Sequence, residues 1–329
     1  MKRREFITIA GGAVAASVVC PFAAQAQQEP VVIGFLSSGS ADDQVNLVEA
    51  ARQGLKEAGY SEGQNIRIEY RWAEGNYDRL PGLAAELVER RVALIIAAGG
   101  SDPARAARAA TSGIPIVFVT AADAVRTGLV ASLSRPEGNV TGINMIGAML
   151  EAKRLELLRE VVPQAPAIGV LINPKYPAAK VQTQEVQEAT AWLGVPLVLR
   201  NASTDAEVDT AFAGFAEQKV GAVLACNDPF FGSYREKLAS LALRHKLPAM
   251  SFRREFAEAG GLLSYGAVFE EGYRQAGVYA ARILKGAKTT DLPVMQPTKF
   301  EMVVNLKTAR ALGLAIPESF LLRADQIIE

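Results

Sequence analysis

Short β-branched runs alternate with helix-period segments along almost the whole chain. Residues 31–36 (VVIGFL) form an unbroken apolar run, the pattern of a strand covered on both faces. After it Val45, Val48, Ala51 and Leu55 recur at helical spacing, and Gly59 closes that segment. Residues 66–72 alternate, with Ile66, Ile68, Tyr70 and Trp72 on one face and Arg67, Glu69 and Arg71 on the other. Leu80, Leu83, Leu87 and Val88 mark a second helix, and residues 92–97 (VALIIA) another buried strand. Asp102-Pro103 opens a third helix, with Asp as N-cap and Pro at the first position. A fourth strand follows at 114–119 (IPIVFV). Strands joined by crossovers of this length predict a parallel, doubly wound sheet.

From residue 121 to 142 the rhythm lapses into turn residues, including Arg135-Pro136-Glu137-Gly138-Asn139. It resumes with helices at 151–162, 178–193, 205–217 and 230–245, alternating with strands at 167–172, 195–200, 221–225 and 247–252. Two series of the same format imply two α/β lobes of related architecture. The tail adds a strand at 261–266, a helix at 269–284 ended by Gly286, and an alternating run at 299–305. These pieces are too few for a third domain, so they are expected to return to both lobes, and several crossings between lobes make a hinge.

The first 26 residues set the address. Lys2, Arg3 and Arg4 precede an apolar, small-residue run, and Ala24-Gln25-Ala26 is a small-x-small cleavage site. That is the anatomy of a bacterial signal peptide, and its core is too short and too rich in Gly and Ala to span a bilayer. Arg3-Arg4-Glu5-Phe6 also fits the twin-arginine export motif, so both export routes stay open, while Ser17-Val18-Val19-Cys20 fits a lipobox poorly. The expected location is periplasmic. Roughly 300 residues remain after cleavage, a length for about two domains. The charge balance of the whole chain is zero, and removing the signal leaves a slight acidic excess; neither gives a footprint for nucleic acid. Only Cys226 survives cleavage, so no internal disulfide forms and the core alone holds the fold. Half of the residues are hydrophobic, which suffices for such a core.

Ligands of open parallel sheets bind beyond the carboxyl ends of the strands. In the first series those ends read Ser37-Ser38-Gly39-Ser40, Gly99-Gly100-Ser101 and Thr120-Ala121-Ala122-Asp123. In the second they read Asn173-Pro174-Lys175-Tyr176, Asn227-Asp228-Pro229-Phe230 and Phe252-Arg253-Arg254. Each loop singly is an adequate helix cap; together they predict a polar site with helix N-termini aimed at it. Catalytic signatures are missing. His245 is the lone histidine, at a polar helix end, and Ser40 stands where a phosphate loop needs Lys. No metal-ligand cluster, dinucleotide fingerprint or nucleophile elbow is present, so no cofactor, metal or catalytic residue is expected.

Several blocks resemble a known family. Phe35-Leu36-Ser37-Ser38-Gly39-Ser40, Arg135-Pro136-Glu137-Gly138-Asn139-Val140-Thr141-Gly142, Ser251-Phe252, Gly260-Gly261-Leu262-Leu263-Ser264-Tyr265-Gly266 and Asn305-Leu306-Lys307-Thr308-Ala309 look like the ABC-transporter substrate-binding proteins whose members include tryptophan-binding proteins. The resemblance implies a type I periplasmic-binding fold, no catalysis, a ligand between the lobes and ABC permease subunits in the inner membrane as partners. It also implies a first lobe of residues 28–145 plus 253–288 and a second of 146–252 plus 289–329. On this reading the chain is a monomer that captures a small amino-acid-like or aromatic carboxylate. The helix N-termini with Ser37, Ser38 and Ser101 would meet the carboxylate, Asn173, Tyr176, Asn227, Asp228 and Tyr265 would add hydrogen bonds, and Gly100 and Thr120 would also bind the ligand. Phe230 or Phe252 would stack on the apolar part, and Asp123 or Asp228 would pair with an ammonium group. The rival reading, an exported α/β enzyme acting on a small molecule, needs a nucleophile–base pair that the sequence does not offer.

Overall fold

In this computed structural model the described residues are 29–145 and 150–329. The expected signal peptide, with Cys20, lies outside them. The first series builds β1 (Val31–Ser37), α1 (Val45–Glu57), β2 (Ile66–Trp72), α2 (Leu80–Glu89), β3 (Ile95–Ala98), α3 (Ser101–Ala110), β4 (Ile116–Thr120) and β5 (Val140–Asn144). The second builds α4 (Glu151–Val161), β6 (Ile168–Ile172), α5 (Ala179–Leu193), β7 (Leu197–Asn201), α6 (Asp205–Glu217), β8 (Ala222–Ala225), α7 (Pro229–Ser233), α8 (Arg235–Arg244) and β9 (Ala249–Ser251). The tail gives α9 (Arg254–Glu258), β10 (Leu263–Ala267), α10 (Phe269–Leu284), β11 (Phe300–Asn305), α11 (Leu306–Ala311), α12 (Glu318–Leu321) and β12 (Gln326–Ile328).

Two sheets result. One is five-stranded and parallel, in the order β2-β1-β3-β4-β5; the other runs β12-β11-β10-β9-β8-β6-β7, antiparallel only between β10 and β11. The unbroken apolar runs follow from burial on both faces. Ile33 and Phe35 of β1 join one core cluster while Leu36 joins the other. Ala222 and Leu224 of β8 likewise face one cluster, and Val223 and Ala225 the other.

The irregular stretch ends in a strand that turn residues conceal. β5 pairs in parallel with β4, and a Cβ at Gly142 would stand 2.2 Å from the Phe118 carbonyl oxygen, so only glycine admits that approach. The expected single helix over 230–245 breaks at Tyr234 into α7 and α8. The tail returns to both lobes, at other points than the resemblance implies. β10 lies between β9 and β11, so residues 253–267 stay with the second sheet. α10 packs on α1, and the segment after it stays with the first sheet: Thr141 Oγ1 donates to the Leu292 carbonyl (2.6 Å), and Met295 bridges Ile143. Backbone pairing decides this, because β10 finds its hydrogen-bond partners in β9 and β11. The chain thus passes between lobes after β5, between β10 and α10, and ahead of β11.

Candidate functional site

The carboxyl ends of β1, β3 and β4 face those of β6, β8 and β9 across the interlobe cleft. At the end of β1 the Ser37 hydroxyl donates to Gln44 Oε1 (3.0 Å) and accepts from the Gly39 amide (3.1 Å). The Ser38 hydroxyl donates to the Gly99 carbonyl. Gly99 and Gly100 follow β3 with φ of +80° and +114°, a region that side chains rarely adopt. This turn starts α3 at Ser101, which is fully buried and whose hydroxyl has no protein partner.

From the second lobe, Asn173 Oδ1 accepts from the Lys175 amide (3.0 Å) and its Nδ2 donates to Asp228 Oδ2 (3.3 Å). Tyr176 and Asn227 are buried, and Tyr176 Oη and Asn227 Nδ2 have no protein partner. A buried polar group without a partner costs roughly 1–3 kcal/mol, and three of them stand in one region. Gly100, Tyr176 and Asn227 line an inner pocket of about 40 Å³ whose other wall is Leu47, Val119, Phe252, Phe269 and Tyr273. One side is therefore polar and the other apolar. An outer chamber of about 840 Å³, lined by Ser38, Asp43, Glu74, Tyr77, Asn173, Lys175 and Phe230, shares Asp43, Pro229 and Ser233 with it. The two form one cleft that deepens from the mouth inward.

Burial perturbs the acids here. The Asp228 carboxyl is pushed up to about 7, mainly by burial, against the hydrogen bonds that favour its charged form. Asp102, in the first turn of α3, is pushed up to about 6 by burial, with Arg105 opposing. Burial also raises the hydroxyls of Tyr77 and Tyr176, and the nearby Asp228 adds to both. Tyr273 is pushed up to about 12 by burial.

The geometry revises the expected roles of four residues. Asp228 is the N-cap of α7: Oδ1 accepts from the amides of Phe230 (2.6 Å) and Phe231 (3.3 Å), and Oδ2 from Asn173 and from the Tyr77 hydroxyl (3.4 Å). A carboxylate has about four acceptor positions and four donors fill them, so none remains for an ammonium group. Thr120 and Asp123 close the turn after β4, Thr120 Oγ1 accepting from the Ala122 amide and Asp123 Oδ1 from the amides of Val125 and Arg126. Tyr265 stacks on Phe300 at 6.3 Å, away from the cleft residues named above, because that side of β10 packs against β11. Of the remaining expected residues, Ser38, Gly100, Asn173, Tyr176, Asn227, Phe230 and Phe252 line the cleft, while Ser37 and Ser101 belong to its loops without lining it.

Comparison with known proteins bears on what such a cleft is for. Residues 31–328 match the family model described as ABC transporter substrate binding protein. The chain belongs to this family. A curated relative, the tyrosine-binding protein of Clostridioides difficile, is 28% identical over 260 residues, which is 79% of this chain and 74% of the relative. Among solved structures, an ABC domain from Streptococcus pneumoniae in complex with L-Trp is 26% identical, with a TM-score of 0.82, covering 91% of this chain and all of that one. The ligand-free, open structure of a substrate binding protein with adhesive properties from Clostridium difficile is 25% identical, covers 90% of this chain and 99% of its own, and reaches 0.65. The architecture is the type I periplasmic-binding fold, and as a substrate-binding protein the chain takes a small-molecule ligand and works with ABC permease partners. At nearly equal identity, the chain as a whole superposes better on the L-Trp complex than on the open structure.

Several cleft residues escape the sequence reading. Tyr77 follows β2, whose carboxyl end obeys the same rule as its neighbours and carries Glu74-Gly75-Asn76-Tyr77. Phe269 and Tyr273 sit on the first turns of α10, and Leu47 on α1, where helical spacing reads as ordinary packing. Arg253 lines the inner pocket beside Phe252, its guanidinium 5.5 Å from the Phe269 ring centre and paired with Glu255.

Proposed function

We propose that this substrate-binding protein captures an aromatic α-amino acid in the periplasm and presents it, chemically unaltered, to an inner-membrane ABC importer. It acts as a monomer and takes no part in nucleic-acid binding. The carrying observation is the pair of buried, unpartnered groups, Tyr176 Oη and Asn227 Nδ2. Both residues line the inner pocket, whose apolar wall contains Phe252 and Phe269. Hydroxyl and amide donors beside the N-terminus of α3 suit a carboxylate, and the aromatic wall suits a ring. The tyrosine and L-Trp ligands of the two relatives carry both features.

At about 40 Å³ the inner pocket holds a few waters, so an amino acid enters only as the lobes part and reclose. Among the described residues no helix is long and apolar enough to cross a membrane, and no group of three potential metal ligands occurs. Of the carboxylates at the cleft, Asp228 is held by four donors and Asp43 by Arg235 and Ser40.

Calorimetry against L-tryptophan, L-tyrosine, L-phenylalanine and L-leucine tests the reading. Binding at least tenfold tighter to an aromatic member than to leucine is expected, with the ligand recovered intact. Tyr176→Phe removes one hydroxyl and should weaken binding by roughly 1.5–3 kcal/mol, the worth of a hydrogen bond to a charged group, or about ten- to hundredfold. No binding to any of the four, or a Tyr176→Phe affinity equal to that of the wild type, would overturn the assignment.

A further inference from the structure

Beneath the cleft lies a buried polar cluster that the ligand cannot reach. Glu151 and Arg154 of α4 are both fully buried and pair at 3.0 Å. A buried ion pair stabilises little, and apolar residues of like volume often do as well, so its presence calls for a geometric reason. The ladder between β8 and β6 runs out at Ala225, with one further bond from the Cys226 amide to the Leu171 carbonyl. Asn227 comes next, buried and past the last strand partner, yet its backbone N–H and C=O must still be paired. Side chains of two helices supply both. Glu151 Oε1 accepts from the Asn227 amide at 2.7 Å. Gln182 Nε2, on α5, donates to the Asn227 carbonyl at 2.7 Å and to Glu151 Oε1 at 3.0 Å. Arg154 Nε donates to the Tyr265 carbonyl at 2.8 Å, which anchors the cluster to β10.

We infer that Glu151 and Gln182 are positioning residues that clamp both sides of the Asn227 backbone and so hold its side-chain amide toward the ligand. The inference rests on the reading above that Asn227 Nδ2 faces the ligand. It assigns a binding consequence to two residues that touch no part of the cleft. Three rotatable side-chain hydrogen bonds replace a rigid ladder at this point, so Asn227 is held firmly only while the clamp is complete.

Gln182→Met keeps the length of the side chain and removes its donors. With L-tryptophan and L-tyrosine as probes, this variant should bind about tenfold more weakly than the wild type. In an Asn227→Ala background the same substitution should change affinity by less than twofold, because a residue acting through Asn227 loses its effect once that side chain is gone. A merely structural Gln182 would lower the melting temperature and shift affinity by the same factor in both backgrounds, which would overturn the proposal. A second measurement needs no ligand. In native-state hydrogen exchange the Asn227 amide should exchange at least tenfold faster in Gln182→Met than in the wild type, while the Val223 and Leu224 amides stay unchanged. Equal exchange at Asn227 would sink the clamp, whatever the binding data show. If the wild type binds neither probe, the ligand assignment fails, and the exchange arm still decides whether Gln182 holds Asn227.

Discussion

Asp228 stands where a helix start, a strand end and the opposite lobe meet, and its protonation reports on all three. Its carboxyl is pushed up to about 7 chiefly by burial, and Tyr77 of the first lobe forms part of its cover beside Asn173 and Tyr176 of the second. When the lobes part, water reaches the group and its pKa falls toward the usual carboxylate value. The closed form therefore binds more protons than the open one. Closure is favoured at low pH and loses that contribution as pH rises through about 7. Asp102, raised to about 6, acts with the same sign if closure also deepens its burial. Affinity for L-tryptophan should fall as pH rises from about 5 to about 8, and Asp228→Asn should flatten most of that slope. Asn keeps an oxygen acceptor for the α7 amides, so this variant should melt near the wild type. Asp228→Ala removes the cap and should lower stability by about 0.5–2 kcal/mol. An unchanged slope in Asp228→Asn, measured by calorimetry across this range, would remove Asp228 from the linkage. At this scale the sequence showed which loops reach the cleft, since Gly100-Ser101, Tyr176 and Asn227 all follow strands. It did not show which side chains keep a free donor. Asp228 and Ser101 read alike as polar residues at strand ends, and only the count of hydrogen-bond partners tells a satisfied cap from an orphan.

Helix pairing carries the first lobe, and α1 with α10 is its tightest case. A Cβ placed on Gly54 would lie 1.9 Å from the Arg274 carbonyl oxygen, and one on Gly277 would lie 2.1 Å from that of Ala51. The two backbones touch because both positions lack a side chain. Gly277→Ala should therefore destabilise the protein by about 1–3 kcal/mol through overpacking, even though alanine is the better helix former by about 1 kcal/mol. Gly82, inside α2, meets nothing within 4 Å, so Gly82→Ala should leave the melting temperature equal or higher. A Gly277→Ala protein as stable as the wild type in urea would show that the helices can slide apart. Elements of this kind were legible where period alone defines them: β1, β4, β6 and α10 lie where apolar runs or helical spacing put them. Partners were not. Nothing in residues 261–266 tells β10 to sit between β9 and β11, because strand pairing is a non-local choice made by backbone groups that all residues share. β5 stayed hidden for a related reason, as five residues containing Gly142 gain strand character only against Phe118.

Two lobes joined by three passages of chain also touch across the cleft, through the Phe252 and Arg253 contacts with Phe269 and through two polar contacts. Arg235 reaches Asp43 at 3.2 Å, with side chains 23% and 22% exposed, and Tyr77 reaches Asp228 at 3.4 Å. An ion pair so placed is worth roughly 0.2–1 kcal/mol, and a hydrogen bond at that length adds little more. These polar contacts are weak, so on the proposed function the ligand would favour closure by meeting both lobes at once: Phe269 and Tyr273 from the first, Tyr176 and Asn227 from the second. Only interactions that differ between the two states can do so. Small-angle scattering should then give a smaller radius of gyration with saturating L-tryptophan than without it. Arg235→Ala should weaken binding by no more than about fivefold and leave the ligand-bound radius unchanged, because the bridge assists closure without defining the closed shape. Equal radii with and without ligand would mean that the lobes are held closed by their own contacts, and that entry to the inner pocket proceeds by local loop motion instead of a hinge.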